Sequence, residues 1–248
     1  MGISLLLALL FSSFNVSAKP VTEIIVATYI EPPFSDIING EFVGENIDIA
    51  YALANIMNKK VRFTYCPAAR CFSLMQNGRA DMIIAVRKTV IREQFLDYLA
   101  SPIKIQKQPL RFYIRAGHAE PLTTYDDLKP LRIGVLRGAS YFDRFDHDTE
   151  INKIPLTNHK QLIDMLLKGR IDTFLEREES IAPLIDESFN FKGIKVAEFS
   201  YNKSVGSYIA IAKKSIFSNE LGEFSEALEA LQHNGEIKKI IRKTRNSL

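Results

Sequence analysis

The chain is 248 residues long, with 46% hydrophobic, 25% charged and 10% aromatic residues and no tryptophan. That balance excludes a disordered, collagen-like or low-complexity protein, and a chain of this length buries about 70% of its unfolded surface without a metal or disulfide framework. Its 32 Lys and Arg against 29 Asp and Glu leave a formal charge of +3, scattered with no basic stripe or RNA-binding aromatic motif, which sets nucleic acid aside as a partner.

Residues 3–11 are almost unbroken apolar sequence, followed by Ser12, Ser13, Asn15 and Val16-Ser17-Ala18. An apolar core of about 7–15 residues closed by small residues is the pattern of a secretory signal peptide. Residues 1–18 are therefore expected to be an export signal cleaved after Ala18, although no Lys or Arg precedes the apolar run. A membrane anchor needs about 20 apolar residues, more than this run or any later one offers. Export gives Cys66 and Cys71 a meaning, because a nearby pair in an oxidising compartment fits a disulfide; the alternative is two free, half-buried thiols. Closing so short a loop would stabilise by about 2 kcal/mol and hold Arg70 in a fixed turn. Two Cys without convergent His make no zinc site, and His118, His147, His159 and His233 have no ligand spacing. No cofactor is expected.

Residues 23–29 (EIIVATY), rich in β-branched side chains, predict a strand that stops at Glu31-Pro32-Pro33. Ile47, Ala50, Leu53, Ala54 and Met57 recur at helical spacing. A second strand follows at 61–65, a helix at 72–77 stopped by Gly78, and a third strand at 80–86, after which Thr89 is placed to cap a helix. This alternation predicts an α/β sheet with helices on its faces. The pattern then restarts, with strands at 110–114 and 132–136, a helix opened by Gly138-Ala139-Ser140, an extended run at 151–156, a helix at 159–167 and a strand at 171–175. GRID at 169–172 echoes GRAD at 78–81, each between a helix and a strand. A late strand at 207–212 precedes two helices, around Leu221–Leu231 and from Ile237.

The sequence holds no nucleophile elbow, Walker loop, HExxH or Rossmann glycine motif. What remains are polar groups at strand ends, where open α/β sheets bind ligands. Arg92 stands near the helix start capped by Thr89, suited to a carboxylate, or else it pairs at the surface with Glu93 or Asp97. Gly138-Ala139-Ser140 offers backbone N–H donors at a second helix start.

The order of TYIEPPF at 28–34, GENIDIA at 44–50, GRAD at 78–81, TVIR at 89–92, GVLRG at 134–138 and GRID at 169–172 resembles the extracytoplasmic solute-binding proteins of family 3, the amino-acid receptors of ABC importers, over nearly all the chain after residue 22. The resemblance implies a type II periplasmic-binding-protein (Venus-flytrap) fold. Lobe 1 would span 19–112 and 208–248 and lobe 2 113–207, joined by a two-segment hinge near 112–115 and 205–209. Arg92 matches the arginine that grips a ligand α-carboxylate, and Thr89 opens its helix. Ser140, after Gly138, matches a lobe 2 hydroxyl residue, Glu31 to Phe34 the segment covering the ligand side chain, and Arg70 points to the cleft. Three departures stand out. Glu31 replaces an aromatic, Val86-Arg87-Lys88 replaces a serine-rich stretch, and Arg177, flanked by Glu176 and Glu178, falls at or near the acid that holds the ligand ammonium. An extra cleft arginine suggests a dicarboxylate, acidic amino acid or other anionic solute. The implied protein is a monomeric, periplasmic, non-enzymatic receptor that serves a membrane permease or a sensor kinase. The competing reading is a cyclohexadienyl dehydratase on the same scaffold, with Glu31, Glu176 or Glu178 as acid.

Overall fold

The structure, a computed structural model, describes residues 22–117, 121–187 and 193–245; the expected export signal and His118 lie outside the described residues. β1 (Glu23–Thr28) is a two-faced strand. Its Ile24 and Val26 join Ile49, Ala50 and Leu53 of α1 (Glu45–Ile56) in one apolar cluster, whereas Ala27 packs on the opposite face with Cys71 and Met75. A hairpin of β2 (Asp36–Ile38) and β3 (Glu41–Val43) leads into α1. β4 (Lys60–Tyr65), α2 (Ala68–Gln76), β5 (Met82–Val86), α3 (Val90–Glu93), β6 (Leu96–Tyr98) and β7 (Lys104–Gln106) follow. Cys66 and Cys71 are bonded to each other. α2 therefore begins ahead of the expected 72, its first turn lying inside the disulfide loop after Pro67, a residue suited to precede a helix.

The second set comprises β8 (Leu110–Arg115), β9 (Arg132–Leu136), α4 (Asp143–His147), β10 (Asn152–Leu156), α5 (His159–Leu167), β11 (Thr173–Glu176), α6 (Glu178–Glu187) and β12 (Ile194–Tyr201). The chain then returns through β13 (Val205–Ala212) to the first sheet and ends in α7 (Leu221–His233) and α8 (Glu236–Arg245). The sheets run β4-β1-β5-β13-β6, with β7 also on β13, and β10-β9-β11-β8-β12. Each is a parallel triple with its first strand in the middle, followed by an antiparallel neighbour, β13 or β8.

The GRxD echo has one structural meaning in both lobes. Gly78 and Gly169 end α2 and α5 in the left-handed region, at φ 67° and 66°, where glycine lacks the Cβ penalty. The aspartate that follows ties its lobe's third strand to the first. Asp81 Oδ2 accepts from Ile25 N at 2.9 Å, and Asp172 Oδ2 from Arg132 N at 2.8 Å.

Among the described residues, no apolar cluster of buried residues mixes the two sheets: those of the first lobe draw on residues 24–103 and 209–240, those of the second on 110–197. The chain crosses between lobes at 107–109 and 202–204, side by side, since β7 pairs with β13 and β8 with β12. The boundaries expected at 112/113 and 207/208 fall inside β8 and β13, both of which pair along their length within a single sheet.

Candidate functional site

A cavity of about 640 Å3 lies between the lobes. Residues at or just past the C-terminal ends of parallel strands from both sheets line it: Tyr29 after β1, Tyr65 on β4, Arg87 after β5, Leu136 on β9, Thr157 after β10 and Glu176 on β11. This is the place where open α/β sheets gather ligands. The crossing strands close its back through Gln106 and Val205 to Ser207.

Thr89 caps α3, its Oγ1 accepting from Arg92 N at 3.3 Å. The cap fixes the single turn that turns Arg92 inward, where it is 9% exposed. Its guanidinium lies 4.0 Å over the Phe72 ring and donates to Arg87 O at 3.0 Å and Gly138 O at 2.9 Å. It is thus not a surface partner of Glu93 or Asp97, and Asp97 pairs with Lys213. Arg87 reaches across to Ser140 O at 2.9 Å. Ahead of it Ala85 adopts φ 62° where the β5–β13 register shifts, a bulge that re-aims the following side chains. Burial draws both guanidinia below the ordinary arginine value.

The turn at 138–140 differs from the expected helix start. α4 begins only at Asp143, because Asp146 folds back to accept from Ser140 Oγ at 2.8 Å and from Tyr141 N. The turn meets lobe 1 with carbonyls, which receive the two arginines, and Gly138 approaches so closely that a Cβ there would stand 2.8 Å from Ala69 Cα.

Glu31 faces the second lobe, its Oε1 accepting from Ser180 Oγ at 2.9 Å. Burial pushes this carboxyl above the usual carboxylate range; the neighbouring Glu176 adds to the effect, while His159, the Ser180 bond and Lys104 oppose it. His159, 5% exposed at the start of α5, has Nε2 3.6 Å from Glu176 Oε1. Burial opposes a charged ring, yet Glu176 and Glu31 outweigh it and raise the His159 pKa. Phe34 carries Lys104 Nζ 4.2 Å over its ring, and Lys104 pairs with the buried Glu45 at 2.5 Å.

Of the residues singled out from the sequence, Arg92, Gly138, Ser140, Glu31, Phe34 and Glu176 line the cavity. Thr89 acts behind it as the cap, and Arg70 is exposed on α2, outside the lining, because the disulfide-bounded helix carries it outward. Glu178 pairs with Arg111 at 3.7 Å, also outside. Sequence reasoning missed Asn46, Tyr141, His159, Glu179 and Ser180 as lining residues; Asn158, which caps α5 through Gln161 N, was the local signal pointing to His159. Among the described residues no group of three His, Cys, Asp or Glu is placed to hold a metal ion, and no helix is long and apolar enough to cross a membrane.

The family model of bacterial extracellular solute-binding proteins, family 3, matches residues 24–246. An L-arginine-binding protein of Pseudomonas aeruginosa is 26% identical over 234 residues, covering 90% of this chain and 86% of the relative. An ancestral arginine-binding protein bound to arginine superposes with a TM-score of 0.75 at 23% identity, covering 89% of this chain and 97% of the other. A solute receptor for L-cysteine of Neisseria gonorrhoeae does so with a TM-score of 0.74 at 21% identity and 89% coverage of both chains. At such identities the two structures bear on the fold.

Proposed function

Since the chain belongs to the bacterial extracellular solute-binding proteins, family 3, we propose that it is a periplasmic, monomeric, non-enzymatic receptor that closes its lobes on one amino acid and presents it to the permease of an ABC importer. The cavity between the strand ends of two separately cored lobes carries this reading. Arg92 grips the α-carboxylate: Phe72 and two carbonyls hold the guanidinium in place, and its remaining N–H groups serve a bidentate charge-assisted contact. The paired crossings at 107–109 and 202–204 act as the hinge, in a domain closure of the familiar kind. Relatives named for arginine and cysteine binding support an amino acid as the class of solute.

Calorimetry of the mature chain against the common amino acids tests the proposal. One or more should bind with micromolar affinity, about −8 kcal/mol, and Arg92→Ala should abolish that binding while the melting temperature without solute stays within a few degrees. Unchanged affinity refutes the role of Arg92, and a panel with no binder refutes the receptor. Prephenate in the same panel should be recovered unchanged.

A further inference from the structure

The polar groups of the cavity are sorted by kind. Donors stand at the wall formed by Arg92 and Arg87, and Arg87 Nε is buried with no hydrogen-bond partner. The acceptors stand at the other wall, around the turn that begins at Glu31. Asn46, 9% exposed, donates its amide to Ser35 Oγ at 3.1 Å and leaves Oδ1 buried and unpartnered. Glu179 Oε1, beside the Ser180 that bonds Glu31, is likewise buried without a partner. Glu31 and Glu176 complete this wall, one from each lobe. Tyr29 lies between the walls, near enough for both the Glu31 and Arg92 charges to act on its hydroxyl.

We infer that the wall of Glu31, Glu176, Glu179 and Asn46 is a subsite for a positively charged, donor-rich group, an ammonium or a guanidinium, so that the protein selects basic amino acids over neutral and acidic ones. The inference rests on the receptor reading above. An acceptor left buried and unpaired is destabilising, more so for a carboxylate, and a group with several N–H donors serves these oxygens together. An anionic side chain would face carboxylates and leave Asn46 Oδ1 unserved. Of the fixed cations that also line the cavity, Lys104 pairs with Glu45 at 2.5 Å and Arg177 donates to Gln108 O at 3.2 Å. Their charges still act on this wall, that of Lys104 on Glu31 and that of Arg177 on Glu179, Glu176 and Glu31, without hydrogen-bonding the orphaned oxygens.

His159 is the internal competitor for this subsite. Glu176 and Glu31 face its ring, and its Nε2 has no hydrogen-bond partner at 3.6 Å from Glu176 Oε1. A ligand cation placed between the carboxylates takes over the neutralisation that a proton on His159 or Glu31 supplies, so binding expels that proton.

Calorimetry with arginine, lysine, citrulline, glutamine and glutamate at pH 8 and pH 6 tests this. Arginine or lysine should bind at least tenfold more tightly than citrulline or glutamine, weaken at pH 6, and release protons, read from the dependence of the heat on buffer ionisation. Glu31→Gln should cut the arginine-to-citrulline ratio at least tenfold; should it fail to fold by circular dichroism, Glu176→Gln gives the same readout. Equal or tighter binding of neutral or acidic amino acids, or a ratio unmoved by both variants, overturns the subsite and leaves the receptor reading standing. Binding of no amino acid overturns both.

Discussion

A methyl group added at Gly44 or at Gly138 meets backbone at nearly the same distance, with different consequences. Gly44, at φ 117°, sits under the turn at 31–35, and its Cβ would stand 2.6 Å from Phe34 O, inside one lobe. Gly138, at φ 86°, would meet Ala69 Cα at 2.8 Å, across the cleft. Each backbone strain costs about 1–3 kcal/mol. Gly44→Ala should therefore lower the melting temperature by roughly 5 °C or more, because its clash exists whenever the lobe is folded. Gly138→Ala adds a clash felt only when the lobes meet, so it should weaken solute binding at least tenfold beyond what its own melting shift explains. Equal effects of the two variants on affinity would contradict that division. The same distinction explains which site residues were legible in the sequence. Arg92 was, because Thr89 and the helix start are local. Asn46 and Ser180 were not, because each enters the cavity through the meeting of segments far apart in the chain, with no local periodicity or cap to mark it.

Among elements, the parallel triples were legible because strand, helix and glycine punctuation are local signals. The short β6 and β7 and the strand β12 were not, since their pairing partners lie elsewhere in the chain; the β2–β3 hairpin was overlooked although its Asn39-Gly40 turn is a local signal. The GRxD echo was the most informative of these signals, and its aspartates are predicted to act lobe by lobe. Asp81 also accepts from Ser215 Oγ at 2.7 Å, so Asp81→Ala orphans Ile25 N and the hydroxyl together. Asp172→Ala orphans Arg132 N and breaks an ion pair whose arginine is largely exposed, which adds little. Each should destabilise by about 1–3 kcal/mol. Hydrogen exchange should quicken in β1, β4 and β5 for Asp81→Ala and in β9, β10 and β11 for Asp172→Ala, as expected of separate cooperative units. Exchange that quickens equally in both sheets would mean that the lobes do not unfold as separate units.

For the whole molecule, every polar tie between lobes is also a lever on closure. Glu31 and His159 come from different lobes, and both bind protons more tightly in this arrangement than alone. The sign follows for each. Glu31, an acid raised above its ordinary 4.5, contributes stability while protonated and loses it as pH rises through the raised value. His159, raised above 6.5, contributes fully below that value and loses the contribution as pH climbs through its folded one. Both favour the touching lobes under mildly acidic conditions. Asp172, held below 3.8 by its Arg132 hydrogen bond, titrates outside this window. Separating the lobes would return Glu31 and His159 to solvent and release the proton, so protonation is linked to closure as well as to folding. In small-angle scattering without added solute, the radius of gyration should therefore fall as pH goes from 8 to 6, and His159→Gln should flatten the change. A radius that grows on acidification, or one indifferent to His159, would show that these charges do not govern the hinge. A basic amino acid should hold the small radius at both pH values, because its cation replaces the proton between Glu31 and Glu176.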